Sequence, residues 1–279
     1  MRCPRKWIYN HFERKNAFVT SYPMAVGTLF HAIKEWEMTH NGRTPSKTRV
    51  KLMEGNYEDP SQAMGAHPDA YDEARSMADV YTLDRFFDTS RLDALAVEAA
   101  VDDWNVVVHP ESGGVLLGGY IDVLDIERQT IHDWKTRGSF SYAPETYQDF
   151  LDNVQLCYYA GLAARQYDWP EATVRHINVL RPSKGGWADK PVEHTIPRWY
   201  LDEAVDVVEN EVIPDMITTY KTYREHDATH TERNAGACWD YGGCPHRTQC
   251  PATQVAGESL VERLSRRAAS IQARKKGIK

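Results

Sequence analysis

The chain has 279 residues, 42% apolar and 26% charged, which excludes global disorder and suits one domain with extensions or two small ones. No run of 18 apolar residues occurs, so no membrane-spanning helix is expected, and the start Met1-Arg2-Cys3-Pro4-Arg5-Lys6 lacks the apolar core of a signal peptide. With 33 basic against 40 acidic residues the formal charge is −7, which argues against bulk coating of DNA but leaves room for a local basic groove.

Met24 to Met38 predicts a helix, residues 41–68 a surface excursion rich in Gly, Pro, Lys and Glu, and Tyr71 to Phe87 a second helix. From about Ala94 the pattern turns to strands. Val106-Val107-Val108 precedes a turn at Pro110 to Gly114, then come Val115 to Asp125 and Thr130 to Thr136, spaced as an antiparallel meander. Pro144 to Tyr167 is helical and Val174 to Leu180 a strand. Tyr200 to Tyr223 is one long helix, which Pro214 should kink. The order predicts an α/β fold with a mixed sheet. The tail from Gly257 to Lys279 holds seven basic and two acidic residues, a net of +5 that leaves −12 on residues 1–256.

The most informative stretch is Gly118-Gly119-Tyr120-Ile121-Asp122 followed by Asp133-Trp134-Lys135. Asp133 and Lys135, two apart on a strand, project from one face. If the hairpin turn centres between Glu127 and Arg128, partner numbers sum to 255 and Asp122 faces Asp133. Like charges opposite each other destabilise a sheet unless something compensates them. A divalent cation is the natural compensation, because Mg²⁺ and Mn²⁺ prefer oxygen ligands. A bare acidic pair with a lysine also fits a surface salt bridge.

The surroundings favour the first reading. Gly27 and His31 share a helix, with Glu35 one turn on, and Gln155 and Tyr159 are four apart on a later helix. This ordered set, Gly27–His31, Gly119–Asp122, Asp133–Lys135 and Gln155–Tyr159, resembles the RecB-like branch of the PD-(D/E)xK nucleases. The resemblance implies a restriction-endonuclease-like core over about residues 94–181, a helical excursion over about 36–93, and a C-terminal helix with a cysteine cluster over about 199–256. It makes residues 1–256 the nuclease domain and 257–279 a basic tail. It makes His31, Asp122 and Asp133 ligands to Mg²⁺ or Mn²⁺, Lys135 the catalytic lysine, and Gln155 and Tyr159 supports of the site or contacts to DNA. Glu98 matches an acidic position the family often carries before the meander, and Glu35 a solvated or supporting residue. Ile121 stands where the namesake motif has proline, and Asp133 where it more often has glutamate.

Five cysteines, an odd number without a secretion signal, speak against a disulfide framework. Cys238, Cys244 and Cys250 lie within 13 residues, and Cys3 completes a set of four. That arrangement resembles the [4Fe–4S] clasp of CRISPR-associated iron–sulfur exonucleases and their phage-encoded relatives, with zinc on the same ligands, or with His246 replacing one, as the alternative. A cluster there would staple the two ends of the nuclease domain together. Relatives carry a short segment before the first cysteine, so a start further upstream or a trimmed N-terminus is expected. Cys157, between Gln155 and Tyr159, is expected to be a buried small hydrophobe.

The resemblance implies a metal-dependent DNA exonuclease, acting in the cytoplasm of a prokaryotic cell or phage-infected host on single-stranded ends. Its setting would be phage recombination or replication, or CRISPR adaptation, with a recombination, helicase or integrase partner. A non-catalytic end-binding scaffold and a zinc-stabilised nucleic-acid-binding protein are the alternatives. Arg5, Lys6, Arg14, Arg137, Arg181 and Lys184 are candidates for phosphates, and Trp7, Tyr9, Trp134 and Trp187 for stacking on bases, though each singly fits an ordinary surface or core residue. The basic tail from Ser259 fits an arm that meets DNA or a partner as well as it fits a solvated tail.

Overall fold

A computed structural model describes residues 21–40, 42–43, 69–100, 120–143, 146–182 and 186–227, without the side chains of Glu98, Ala100 and Tyr142. The elements run α1 (Tyr22–Thr39), α2 (Ala70–Val80), β1 (Leu95–Ala100), β2 (Tyr120–Asp125), β3 (Thr130–Arg137), α3 (Tyr147–Leu151), α4 (Val154–Gln166), β4 (Glu171–Leu180), β5 (Asp189–Pro197), α5 (Arg198–Val207) and α6 (Ile213–Glu225). Two 3-10 turns, Leu83–Arg85 and Thr89–Ala94, lead from α2 into β1. The strand at Val106 to Val108 and its turn, most of the surface excursion, the four clustered cysteines and the basic tail lie outside the described residues.

The five strands are ordered β1-β2-β3-β4-β5. β1, β2 and β3 form an antiparallel meander, in which β2 and β3 match the expected strands ending at Asp125 and starting at Thr130; β4 runs parallel to β3, and β5 is antiparallel to β4. A parallel step needs a crossover connection, and α3 and α4 supply it. Helices cover both faces of this mixed sheet. On one, Leu29, Phe30 and Ile33 of α1 and Met77 of α2 pack on Val123, Trp134 and Ile177. On the other, Leu156 and Ala160 of α4 and Leu201 and Val205 of α5 pack on Leu124, Ile131 and Val174.

Helix α1 buries Ala25, Val26, Leu29, Phe30 and Ile33 along one stripe, the three-and-four spacing of an amphipathic helix. Its first turn holds Pro23, where a missing N–H leaves no bond unmade. Helix α4 lies close enough to α5 that a Cβ on Gly161 would collide with Val205 and sit 2.8 Å from the Leu201 carbonyl oxygen.

Four elements differ from the sequence expectation. The Tyr71–Phe87 helix ends at Val80, and a 3-10 turn follows. The Pro144–Tyr167 helix is two helices, because the Asn153 side chain accepts the Leu156 N–H and caps a new one. Strand β5 was not expected. It is polar and carries Pro191, which suits its position at the sheet edge. The long C-terminal helix is interrupted by a π-helical turn, Val208–Val212, just before Pro214. That wider turn takes up the carbonyl clash and missing donor that a proline brings.

Candidate active site

The β2–β3 hairpin has the expected register. Its paired residues are Asp125↔Thr130, Leu124↔Ile131 and Val123↔His132, each summing to 255. The ladder stops there, one position short of Asp122 and Asp133, so these two are not a simple facing pair. The strands part, and the Asp122 carboxylate accepts the backbone N–H of Trp134 at 2.8 Å. The facing pattern of β2 also breaks at Asp122. Ile121 and Leu124, three apart, both pack on the α4 side, while Val123 packs on the α1 side. Asp122 thereby shares a small pocket with His31, Glu35, Met38, Val97, Val123 and Trp134. Strict alternation would have sent it to the other face.

Four predicted residues meet at this opening. His31 Nδ1 lies 3.4 Å from Asp122 Oδ2. Lys135 donates to Asp133 Oδ1 at 2.8 Å. Gly27, one turn before His31, explains how α1 reaches so near: a Cβ there would lie 2.9 Å from Thr136 Oγ1 on β3. The electrostatics tie the group together. Burial pulls the His31 imidazole down, but the Asp122 carboxylate, helped by Asp133, reverses this and the net shift is upward. Burial would raise Asp122, yet His31, the Trp134 N–H and Lys135 hold it below the usual carboxylate range. Asp133 goes the other way, because burial with the Asp122 charge outweighs the pull of Lys135. Two carboxyls of one site are thus driven apart in acidity.

Glu35 is half-buried, and burial and the Asp122 charge raise its carboxyl. Position 98 stands level with Asp122, since Val97↔Val123 and Ala99↔Ile121 flank it in the β1–β2 register. Gln155 and Tyr159 lie on α4, where Gln155 Nε2 donates to Tyr159 Oη at 3.2 Å, and neither bonds to the acidic pair. Cys157 is buried, its thiol donating to the Phe150 carbonyl oxygen at 3.3 Å, and burial pushes its pKa up to about 12.

Two DNA-contact candidates are corrected. Trp134 is only 2% exposed, boxed in by Phe30, Phe86 and Phe87, so it has no face to offer a base. Arg181 is buried against Glu73 at 3.1 Å, a pairing that uses the charge a phosphate would need. Trp187 is 45% exposed. Arg137 donates to Asn178 Oδ1 at 3.0 Å. Arg5, Lys6, Trp7, Tyr9, Arg14 and Lys184 lie outside the described residues.

The sequence reasoning passed over His176. It stands beside Asp133 in the parallel β3–β4 register, 1% exposed, with Nε2 3.6 Å from Asp133 Oδ2. Burial, with the Lys135 and Arg137 charges, lowers its pKa to about 4. The one available signal was a histidine inside the predicted strand Val174 to Leu180.

Among the described residues no group of three or more His, Cys, Asp or Glu side chains is placed to hold a metal ion. The donors nevertheless suit a hard cation. Mg²⁺ is commonly held by one or two carboxylates, with water and substrate phosphate completing its shell. Here Asp133 Oδ2 is buried with no hydrogen-bond partner in the chain, an oxygen that such an ion would satisfy.

A family model described as the PD-(D/E)XK nuclease superfamily matches residues 1–251. The chain belongs to the PD-(D/E)XK nuclease superfamily. The five-stranded mixed sheet flanked by helices is consistent with its restriction-endonuclease-like core, and membership supports a nuclease with a nucleic-acid substrate. No curated protein matches the sequence. One similar solved structure, described as "Crystal structure of SSO0001", shares 15% identity at a TM-score of 0.33 and covers 82% of this chain and 98% of its own. Among the described residues of this superfamily member no helix is long and apolar enough to cross a membrane.

Proposed function

We propose that the chain is a metal-dependent DNA exonuclease of the RecB-like branch, working at the open end of the β2–β3 hairpin. The observation that carries this is the meeting of Asp122, Asp133, Lys135 and His31, with Lys135 only 2.8 Å from Asp133. Asp122 and Asp133 would hold Mg²⁺ or Mn²⁺, and His31, 3.4 Å from Asp122 Oδ2, would be a further ligand once its imidazole gives up its proton. When bound, the cation acidifies water and stabilises charge on the scissile phosphate. Lys135 orients the attacking water and meets negative charge as it develops. Asp122 stays ionised at neutral pH because its neighbours are donors and cations. Gln155 and Tyr159, bonded to each other on α4, support the site or touch the nucleic acid. No covalent intermediate is needed.

Single-stranded ends are the proposed substrate, and phage recombination or replication or CRISPR adaptation the setting, on the motif resemblance. The same resemblance supports a [4Fe–4S] cluster on Cys3, Cys238, Cys244 and Cys250. Its role is to fix the two ends of the nuclease domain, so its loss lowers stability before chemistry. Iron and acid-labile sulfide analysis with a visible absorbance scan separates it from zinc.

The test is an assay on anaerobically purified full chain with end-labelled single- and double-stranded DNA and Mn²⁺ or Mg²⁺. Wild type should release label from an end, and Lys135→Ala should be slower by about 10²-fold or more. A folded wild type that binds ends without cutting would favour the scaffold reading instead.

A further inference from the structure

Asp133 Oδ2 and both ring nitrogens of His176 are buried beside the candidate site without a hydrogen-bond partner. Of these, Asp133 Oδ2 and His176 Nε2 are the pair that can join. They face each other at 3.6 Å, from neighbouring positions of a parallel strand pair. Leaving both unmade is costly in a dry interior, and a contraction of under one ångström joins them. His176 has no room to turn elsewhere: it is 1% exposed, with the Phe150 ring at 4.7 Å between centroids.

We propose that His176 is a positioning residue for Asp133, held as the Nε2–H tautomer and donating to Asp133 Oδ2. The inference rests on Asp133 being a cation ligand, as proposed above. Lys135 already donates to Oδ1 at 2.8 Å. With His176 on Oδ2 the carboxylate is held at both oxygens and cannot rotate. Each oxygen keeps a lone pair for an ion, and outer partners of this kind fix the direction of ligating carboxylates. Lys135 is then set by the same carboxylate, so a loose Asp133 also misplaces the lysine. The bare Asp–x–Lys motif leaves this out, because the partner comes from the next strand.

The experiment compares Mn²⁺ binding to the full chain, by calorimetry and by loss of the free-ion resonance signal, in wild type, Asp133→Asn, His176→Phe and His176→Gln. The phenylalanine keeps a ring but no donor, and the glutamine restores an N–H near Nε2. His176→Phe should weaken Mn²⁺ binding by about tenfold, and His176→Gln should recover most of it. Cleavage rates should follow in the same order at subsaturating metal. Imidazole ¹⁵N spectra of wild type should show His176 as the Nε2–H tautomer, a readout that does not need the variants to fold. Unchanged Mn²⁺ affinity in folded His176→Phe, or an Nδ1–H tautomer, overturns the inference and leaves the nuclease reading standing. Wild type binding no Mn²⁺, or Asp133→Asn binding it equally well, overturns the cation site itself and the inference with it.

Discussion

The two ends of the β2–β3 hairpin carry aspartates of opposite character. At the closed end Asp125 is 3% exposed, and the chain answers its charge: its carboxylate accepts the Arg128 N–H at 3.0 Å and lies 3.7 Å from Arg91. At the open end Asp133 is also largely buried, yet Oδ2 has no hydrogen-bond partner and a second carboxylate stands in the same site. Asp125 belongs to a turn that folding completes. Asp133 shares its site with a second carboxylate, and burial with that charge disfavours its ionised form; a site built for a ligand has that character. The contrast teaches that acidic residues on one hairpin are sorted by what the fold supplies to each.

Substitutions can sharpen this contrast. The largest expected effect on stability is at His132, buried on the α1 side of β3 against Phe87. Burial, with the Arg175 charge, holds it near 4 against an ordinary 6.5. The unfolded chain therefore binds more protons between those values, and stability falls as pH drops from 6.5 through 4. At about 1.4 kcal/mol per pH unit the loss approaches about 3 kcal/mol. His132→Phe should flatten that part of the acid limb in denaturant titrations, leaving the part due to His176, whose pKa is also about 4.

Asp125→Ala comes next. It leaves the Arg128 N–H without its acceptor and should cost about 2 kcal/mol, seen as a lower melting temperature. Gly27→Ala is the smallest. Helix α1 must retreat a few tenths of an ångström from Thr136, while alanine favours the helix by about 0.5–1 kcal/mol. Melting should barely move. Cleavage should fall several-fold, because His31 is carried away from Asp122.

The hairpin register was legible because a turn between Glu127 and Arg128 fixes every partner with a period of two. Less legible was where that register ends. The end of the β2–β3 ladder at Asp122, and the break in facing that turns it toward α1, depart from the period of two that a sequence pattern carries. Strand β5 was hidden by its polarity and prolines, both tolerated at an edge. His176 was hidden because the alignment of parallel strands is set by packing across a crossover and not by a turn. The motifs from Gly27 to Tyr159 each need only short spacing and pointed to the PD-(D/E)XK superfamily, which the match over residues 1–251 shows.

On the proposed reading, the open end of the hairpin serves chemistry and the closed end serves folding. Asp133→Asn and Asp125→Ala, measured side by side for melting temperature and Mn²⁺-dependent cleavage, test it most directly. Asp133 carries a raised pKa, so its ionised form is strained by the fold and a neutral amide should melt at or above the wild-type temperature while cleavage is lost. Asp125→Ala should melt lower and, well below that temperature, still cut. An Asp133→Asn protein that cuts like wild type, or an Asp125→Ala protein that is fully folded and inactive, would contradict the account.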